Sequence, residues 1–207
     1  MLKRTKGRLL ITLLVVTGLA GTINNNSITP EERKYAVNLL KNSKNNLLDN
    51  ITELSDKQLN YRSTTTEVSV RNCLSQAAMV EQKLWQMIDN AMEQPANPEK
   101  RKEIKISDHQ LVELAETGKI NTLSTNTFKQ ANTPWKTATE ATTNFKAMRN
   151  GHIKHMKSST EDLRNHVVLT PAGWLDCYQL ILLISASTNH SATIIEGIKL
   201  DEGFPKK

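Results

Sequence analysis

From Thr29 onward, apolar residues recur three or four positions apart in four long stretches, separated by polar or proline-marked breaks. Thr29-Pro30-Glu31-Glu32 opens the first stretch with a hydroxyl N-cap, Pro at the first helical position and Glu at the third. Ala36, Leu40, Leu47, Ile51 and Leu54 then mark one buried face, and Ser55-Asp56 ends the helix. Ser69 caps a second helix, with Val70, Cys73, Leu74, Ala77, Val80, Leu84, Ile88 and Ala91 inward, and Pro95 and Pro98 close it. Residues 95–136 form a connection, inside which Ser107-Asp108-His109-Gln110 starts a short helix ending near Gly118. Thr137-Ala138-Thr139-Glu140 opens a third long helix with Ala141, Phe145, Met148 and His152 inward. Pro171 and Gly173 mark the entry to a fourth, from Trp174 to Leu200, carrying Cys177, Leu180, Ile181, Ile184, Ile194 and Ile198. No stretch alternates as a half-buried strand does. The pattern predicts an all-α chain, a four-helix bundle with a long crossover connection between helices two and three. A link of about 40 residues exceeds a hairpin connection and can cross the bundle, so those two helices run parallel.

The first 22 residues follow a different grammar. Lys3, Arg4, Lys6 and Arg8 form a positive segment without an acid, Leu9 to Val16 is apolar apart from one Thr, and Gly18, Ala20 and Gly21 follow. This is the layout of a secretory signal peptide with cleavage after Ala20. The apolar run is shorter than the ~20 residues of a spanning helix; the alternative is an uncleaved membrane anchor. No cysteine follows to carry a lipid. The chain thus divides into a signal peptide (1–22), an Asn-rich spacer (23–28) and one helical domain (29–205), and is expected to be exported, with no stable membrane span once the signal is removed.

Composition narrows the function. The chain of 207 residues suits one domain. Eight glycines form neither a G-x-G-x-x-G nor a P-loop array, and no C-x-x-C pair exists. The net charge of +6 suggests a nucleic-acid partner until the four leader cations are removed, leaving 23 Lys and Arg against 21 Asp and Glu, a net of +2. That is too little for a duplex binder. The densest remaining basic run, Lys100 to Lys105, sits in a proline-flanked loop and reads as solvated.

Several segments, in order, carry a family resemblance: Leu54-Ser55-Asp56-Lys57-Gln58-Leu59, Glu67 to Gln76, Asp162-Leu163-Arg164, Pro171 to Gln179, and Glu196-Gly197-Ile198-Lys199 with Asp201, Phe204 and Pro205. Together they resemble the DinB-like, YfiT-like superfamily across roughly residues 28–205. The resemblance implies a four-helix bundle with a crossover between helices two and three. Many members hold zinc or nickel on three histidines, one in helix two and two spaced four apart in helix four. Characterised members include thiol S-transferases and amide hydrolases, whose metal keeps a position open for water or substrate. Many are dimers, so the resemblance also admits a homodimer.

Carried over position by position, the three ligands fall on Gln76, Ser187 and Ser191. Borderline metals favour imidazole or thiolate over these neutral oxygens. His190 points to the flank of the Ser187–Ser191 face, and a one-residue shift would pair it only with Ala186. The expectation is therefore a domain without the family's metal or any other cofactor. It keeps a polar pocket at Gln76, Ser187 and Ser191, flanked by His190 and Glu81, and binds a small molecule or serves a structural role. The alternative is a metal-dependent hydrolase or thiol S-transferase using His190 with Glu81 or Gln76 as substitute ligands. Glu81 and Glu196 are read first as surface or capping carboxylates and only second as an acid or base. His152 and His155, three apart, read as one half-buried and one exposed histidine, His109 as solvated, and His166 as ordering the loop before the fourth helix. Trp85, Trp135 and Trp174 read first as core and second as pocket wall. If Gln76 and Ser187 face one pocket, as the resemblance implies, Cys73 and Cys177 lie too far apart along their helices for a disulfide and are expected as free thiols facing the core.

Overall fold

The computed structural model describes residues 28–64, 67–120 and 134–206. Residues 1–27, with the signal-peptide reading and nearly all of the spacer, lie outside them. The described chain is mostly helical: α1 (Pro30–Ile51), α2 (Asp56–Asn60), α3 (Val70–Met92), a 3-10 segment (Pro98–Glu103), α4 (Asp108–Glu116), α5 (Ala138–Ser158) and α6 (Cys177–Lys199). Before α6 comes a two-stranded antiparallel hairpin of β1 (Val167–Thr170) and β2 (Gly173–Asp176).

Each of the six α-helices begins at a side chain that accepts the backbone N–H three residues on. The caps are Thr29, Ser55, Ser69, Ser107, Thr137 and Asp176. Five are reciprocal, the third residue's side chain reaching back to the cap's own N–H, and each such cap satisfies donors that the helix start would leave orphaned. At Thr137 the Glu140 carboxylate instead accepts from the Lys136 N–H at 2.7 Å.

Three expectations need correction. The chain is not free of strand: Val167-Val168-Leu169-Thr170 pairs with Gly173 to Asp176 in register Val167↔Asp176 to Thr170↔Gly173. Gly173 adopts φ +102°, and Thr170 Oγ1 donates to the Gly173 carbonyl and accepts from the Ala172 N–H. This short turn needs glycine there. The fourth long helix consequently starts at Cys177, not Trp174, and Asp176 caps it. On α5 the buried stripe runs through Ala141, Phe145, Arg149, Ile153 and Met156, while Met148 and His152 are only half-buried.

Helix α1 packs on α6 and α5, α3 packs on the same two, and α4 covers α6. With neighbours on several sides, α6 is buried continuously from Cys177 to Thr188. Paired residues fix the alignments. Tyr178 Oη donates to the Glu32 carbonyl near the start of α1, and the Asn50 side chain near its end donates to Glu196 Oε1. Arg33 near the start of α1 meets the Met156 carbonyl near the end of α5. The Arg71 guanidinium, at the start of α3, donates to the Lys136 carbonyl just ahead of α5.

The apolar interior forms two clusters. One holds Leu40, Val80, Leu84, Ile153 and Ile184 among others, and the second holds Leu47, Ala77, Ala78, Phe145 and Ala192. Between them, in sequence, stand the buried polar residues Ser43 on α1, Arg149 on α5 and Thr188 on α6; on α3 the buried Glu81 sits just past the junction, beside Val80 of the first cluster.

Candidate functional site: a buried arginine–glutamate–histidine centre

Arg149 is fully buried, and its guanidinium reaches all four long helices. Nε donates to Glu81 Oε2 at 2.8 Å, and Nη2 donates to Glu81 Oε2 at 2.5 Å and to Thr188 Oγ1 at 2.8 Å. Nη1 donates to the Leu40 carbonyl at 2.9 Å and to Ser43 Oγ at 2.7 Å. All five N–H donors of the side chain are used. Its charge centre also lies 5.0 Å from the Phe145 ring. Thr188 Oγ1 in turn donates a hydrogen bond to the Ile184 carbonyl at 2.8 Å.

The second oxygen of Glu81 meets His152 Nδ1 at 2.5 Å. Burial alone would push the Glu81 carboxyl up; the Arg149 guanidinium, with the His152 contact behind it, outweighs this and holds it below its ordinary value. The His152 ring stacks on Trp85, with centroids 3.7 Å apart and planes 9° apart. Trp85 in turn meets the edge of His155, which pairs with Glu161 at 2.8 Å near the surface. A chain of polar and aromatic groups thus runs from the molecular centre to its rim.

Of the residues singled out from sequence, Glu81 and His152 belong to this centre and the others are scattered around it. Gln76 is exposed on α3. Ser187 and Ser191 are buried on α6, where Ser191 Oγ donates to the Ser187 carbonyl one turn back. His190 Nδ1 lies 3.0 Å from the Glu116 carbonyl at the end of α4. Its ring lies against Gly118, where φ is +68° and an added Cβ would come within 2.6 Å of it. Glu81 is neither a surface nor a capping residue. It is wholly buried and bonded to Arg149 and His152. Glu196 is exposed and accepts from the Asn50 side chain at 2.9 Å, linking α1 to α6.

The remaining assignments are more conventional. His109 is exposed, and His166 ties its loop together, its ring nitrogens 2.8 Å from the Asp162 carbonyl and 3.1 Å from the Gln94 carbonyl. Cys73 and Cys177 are free and buried in different apolar clusters, and burial raises both thiols to about 12. They are therefore protonated, poor nucleophiles at neutral pH. Trp135 is buried, while Trp85 and Trp174 are half-buried.

Two further junctions hold the ends of the molecule. Arg164 bonds Glu32 at the start of α1, Asp108 at the start of α4 and the α6 cap Asp176, and lies 4.1 Å over the Tyr178 ring. Asp201 accepts from Tyr61 Oη, Ser63 Oγ, the Thr64 N–H and Oγ1, and the Gly203 N–H. These hydrogen bonds, led by that from Gly203, hold its carboxyl down at about 2.

The donor set does not suit the metal that the family resemblance implies. Gln76 faces solvent, while Ser187 and Ser191 offer hydroxyls. Among the described residues no three His, Cys, Asp or Glu side chains gather as a metal would need. No described helix is long and apolar enough to cross a membrane. No family model, curated protein or solved structure matches the chain.

Proposed function

We propose that the protein is an exported, DinB-like four-helix bundle with a crossover between its second and third long helices. In this reading α1, α3, α5 and α6 are the four helices of the bundle. The pairings support it: α1 and α6 rise together from Tyr178–Glu32 to Asn50–Glu196, and α3 and α5 rise together from Arg71–Lys136 to Glu81–Arg149 and Trp85–His152. The export reading rests on the leader-like residues 1–22.

The proposed role is non-catalytic, structural or small-ligand binding, without the family's metal. The observation that carries it is the satisfied centre. Where an active polar group would be left poised for a substrate, Arg149 spends every donor on the protein's own helices. Both Glu81 oxygens are likewise bonded internally. The rival reading, a hydrolase or thiol transferase on substitute ligands, draws no support from His190, which turns to α4, or from Glu81, which turns to Arg149 and His152.

The test is the metal content of the purified protein, by elemental mass spectrometry, after incubation with zinc, nickel and manganese. Metal at background is the expected result. About one equivalent, lost in a His190→Ala or Gln76→Ala variant, would overturn the reading and make metal catalysis the leading function.

A further inference from the structure

The seam between α1 and α5 has a charge pattern that the buried centre does not explain. Two open clefts follow one another along it. The first, about 480 Å³, is lined by Arg33, Lys34 and Lys157 over an apolar floor of Ile28, Pro30 and Val37. The second, about 410 Å³, is lined by Lys41, Lys44, Lys154 and Lys157 with Asn45 and Asn150. A third cleft of about 280 Å³ continues the seam toward Thr142 and Lys146. Among the described residues, no carboxylate and no aromatic ring lines any of the three.

This concentration is unusual for a domain whose net charge outside the leader is only +2. Lys41 and Lys44 stand three apart on α1, and Lys154 and Lys157 three apart on α5, so like charges sit on neighbouring turns and repel. Among the described residues the ion pairs use Arg149, Arg164, His152 and His155, and none uses a lysine. Lys44 finds a neutral partner, the Asn150 side-chain oxygen at 3.1 Å. Folding has gathered seven cations on one seam, with no counter-charge among the described residues of the same cleft walls.

We propose that the α1/α5 groove binds a linear polyanion, a flexible chain of phosphate groups without stacking rings. The shape selects a chain, because concave clefts between two helices admit a strand and leave a flat bilayer touching only the rims. The lining selects a ring-free chain, because single-stranded nucleic acids are held by aromatic platforms as well as cations, and these walls have none. The length agrees. At about 1.5 Å per residue, Lys34 to Lys44 and Lys146 to Lys157 each span about 15 Å of groove, room for several consecutive phosphates. The site is separate from the buried centre, so the two readings stand or fall independently.

The test measures binding of the full chain to end-tethered inorganic polyphosphate by interferometry at several salt concentrations. Lys41→Glu/Lys154→Glu is compared with Lys102→Glu/Lys105→Glu, which makes the same change in net charge on the 3-10 segment and its exit. The leader cations are common to both variants and cancel from the comparison. Binding that weakens steadily with salt, falls at least about tenfold in the groove double and changes less than about twofold in the loop double is the expected result. A Lys41→Gln/Lys154→Gln double should reproduce the loss if charge reversal disturbs folding. Absence of binding at low salt, or equal losses in the two charge-reversal doubles, would overturn the proposal. So would tighter binding of an oligothymidylate, which would assign the groove to nucleic acid. Binding to phosphatidylglycerol vesicles with none to polyphosphate would likewise overturn it in favour of a membrane surface.

Discussion

Arg149 is the residue whose loss the molecule should tolerate least. Replacing it with methionine leaves the Glu81 carboxylate buried beside an apolar side chain, and breaking a buried ion pair from one side costs about 3–5 kcal/mol. Removing both charges together removes that penalty, so Glu81→Met/Arg149→Met should recover much of the lost stability in urea unfolding. A double variant no more stable than Arg149→Met would mean that the hydrogen bonds to Ser43, Thr188 and Leu40 carry the energy instead. The sequence held a partial signal for this centre. Leu40 and Leu47 stand seven apart with Ser43 at the missing inward position, and Glu81 lies between Val80 and Leu84 on an otherwise apolar face. Charge at such a position reads as solvated until its partner is known, and that partner lies 68 residues away. His152, Trp85 and Glu81 could be nominated one by one; their stacking and pairing could not.

Helices were the most legible feature, because capping and periodicity are local. Thr29, Ser69, Ser107 and Thr137 each stand where the sequence places a helix start, and all eight residues assigned inward on the second long helix are buried. The hairpin before α6 was missed because its strands are four residues each, too short for alternation to register, and its Pro-Gly turn reads equally as a helix entry. The α5 stripe drifted by one position because half-buried Met148 and His152 mimic its edge. Two glycines offer a test of opposite sign. Gly151 sits within α5 with nothing within 4 Å of an added Cβ, so Gly151→Ala should stabilise the protein by about 0.5–1 kcal/mol. At Gly118 the same substitution meets both a positive φ and the His190 ring, and it should destabilise by about 1 kcal/mol or more. A Gly118→Ala urea midpoint that does not fall would refute a left-handed Gly118 backbone packed against the His190 ring.

For the molecule as a whole, acid should be the condition that loosens it first. The Asp201 carboxyl joins residues 61–64 to the end of α6, and its five donors hold it at about 2 against an ordinary 3.8. An unfolded chain takes up this proton near 3.8, while the folded chain resists it down to about 2. The stabilisation is therefore complete above pH 3.8, falls as pH drops through the interval and is gone below about 2. Glu81, also held below its ordinary value of 4.5, adds a loss of the same sign on the acid side. The two sites lie at different places, one inside the four-helix contact and one at the C-terminal end, so their contributions are separable. Melting temperatures measured from pH 6 to 2 should fall most steeply below pH 4, and Asp201→Asn should flatten that fall while lowering the plateau near pH 6. A variant with an unchanged acid slope would show that residues 61–64 are fastened to the C-terminal segment by the edge-on Tyr61–Phe204 contact and the Gln58–Pro205 hydrogen bond rather than by the ionised carboxylate.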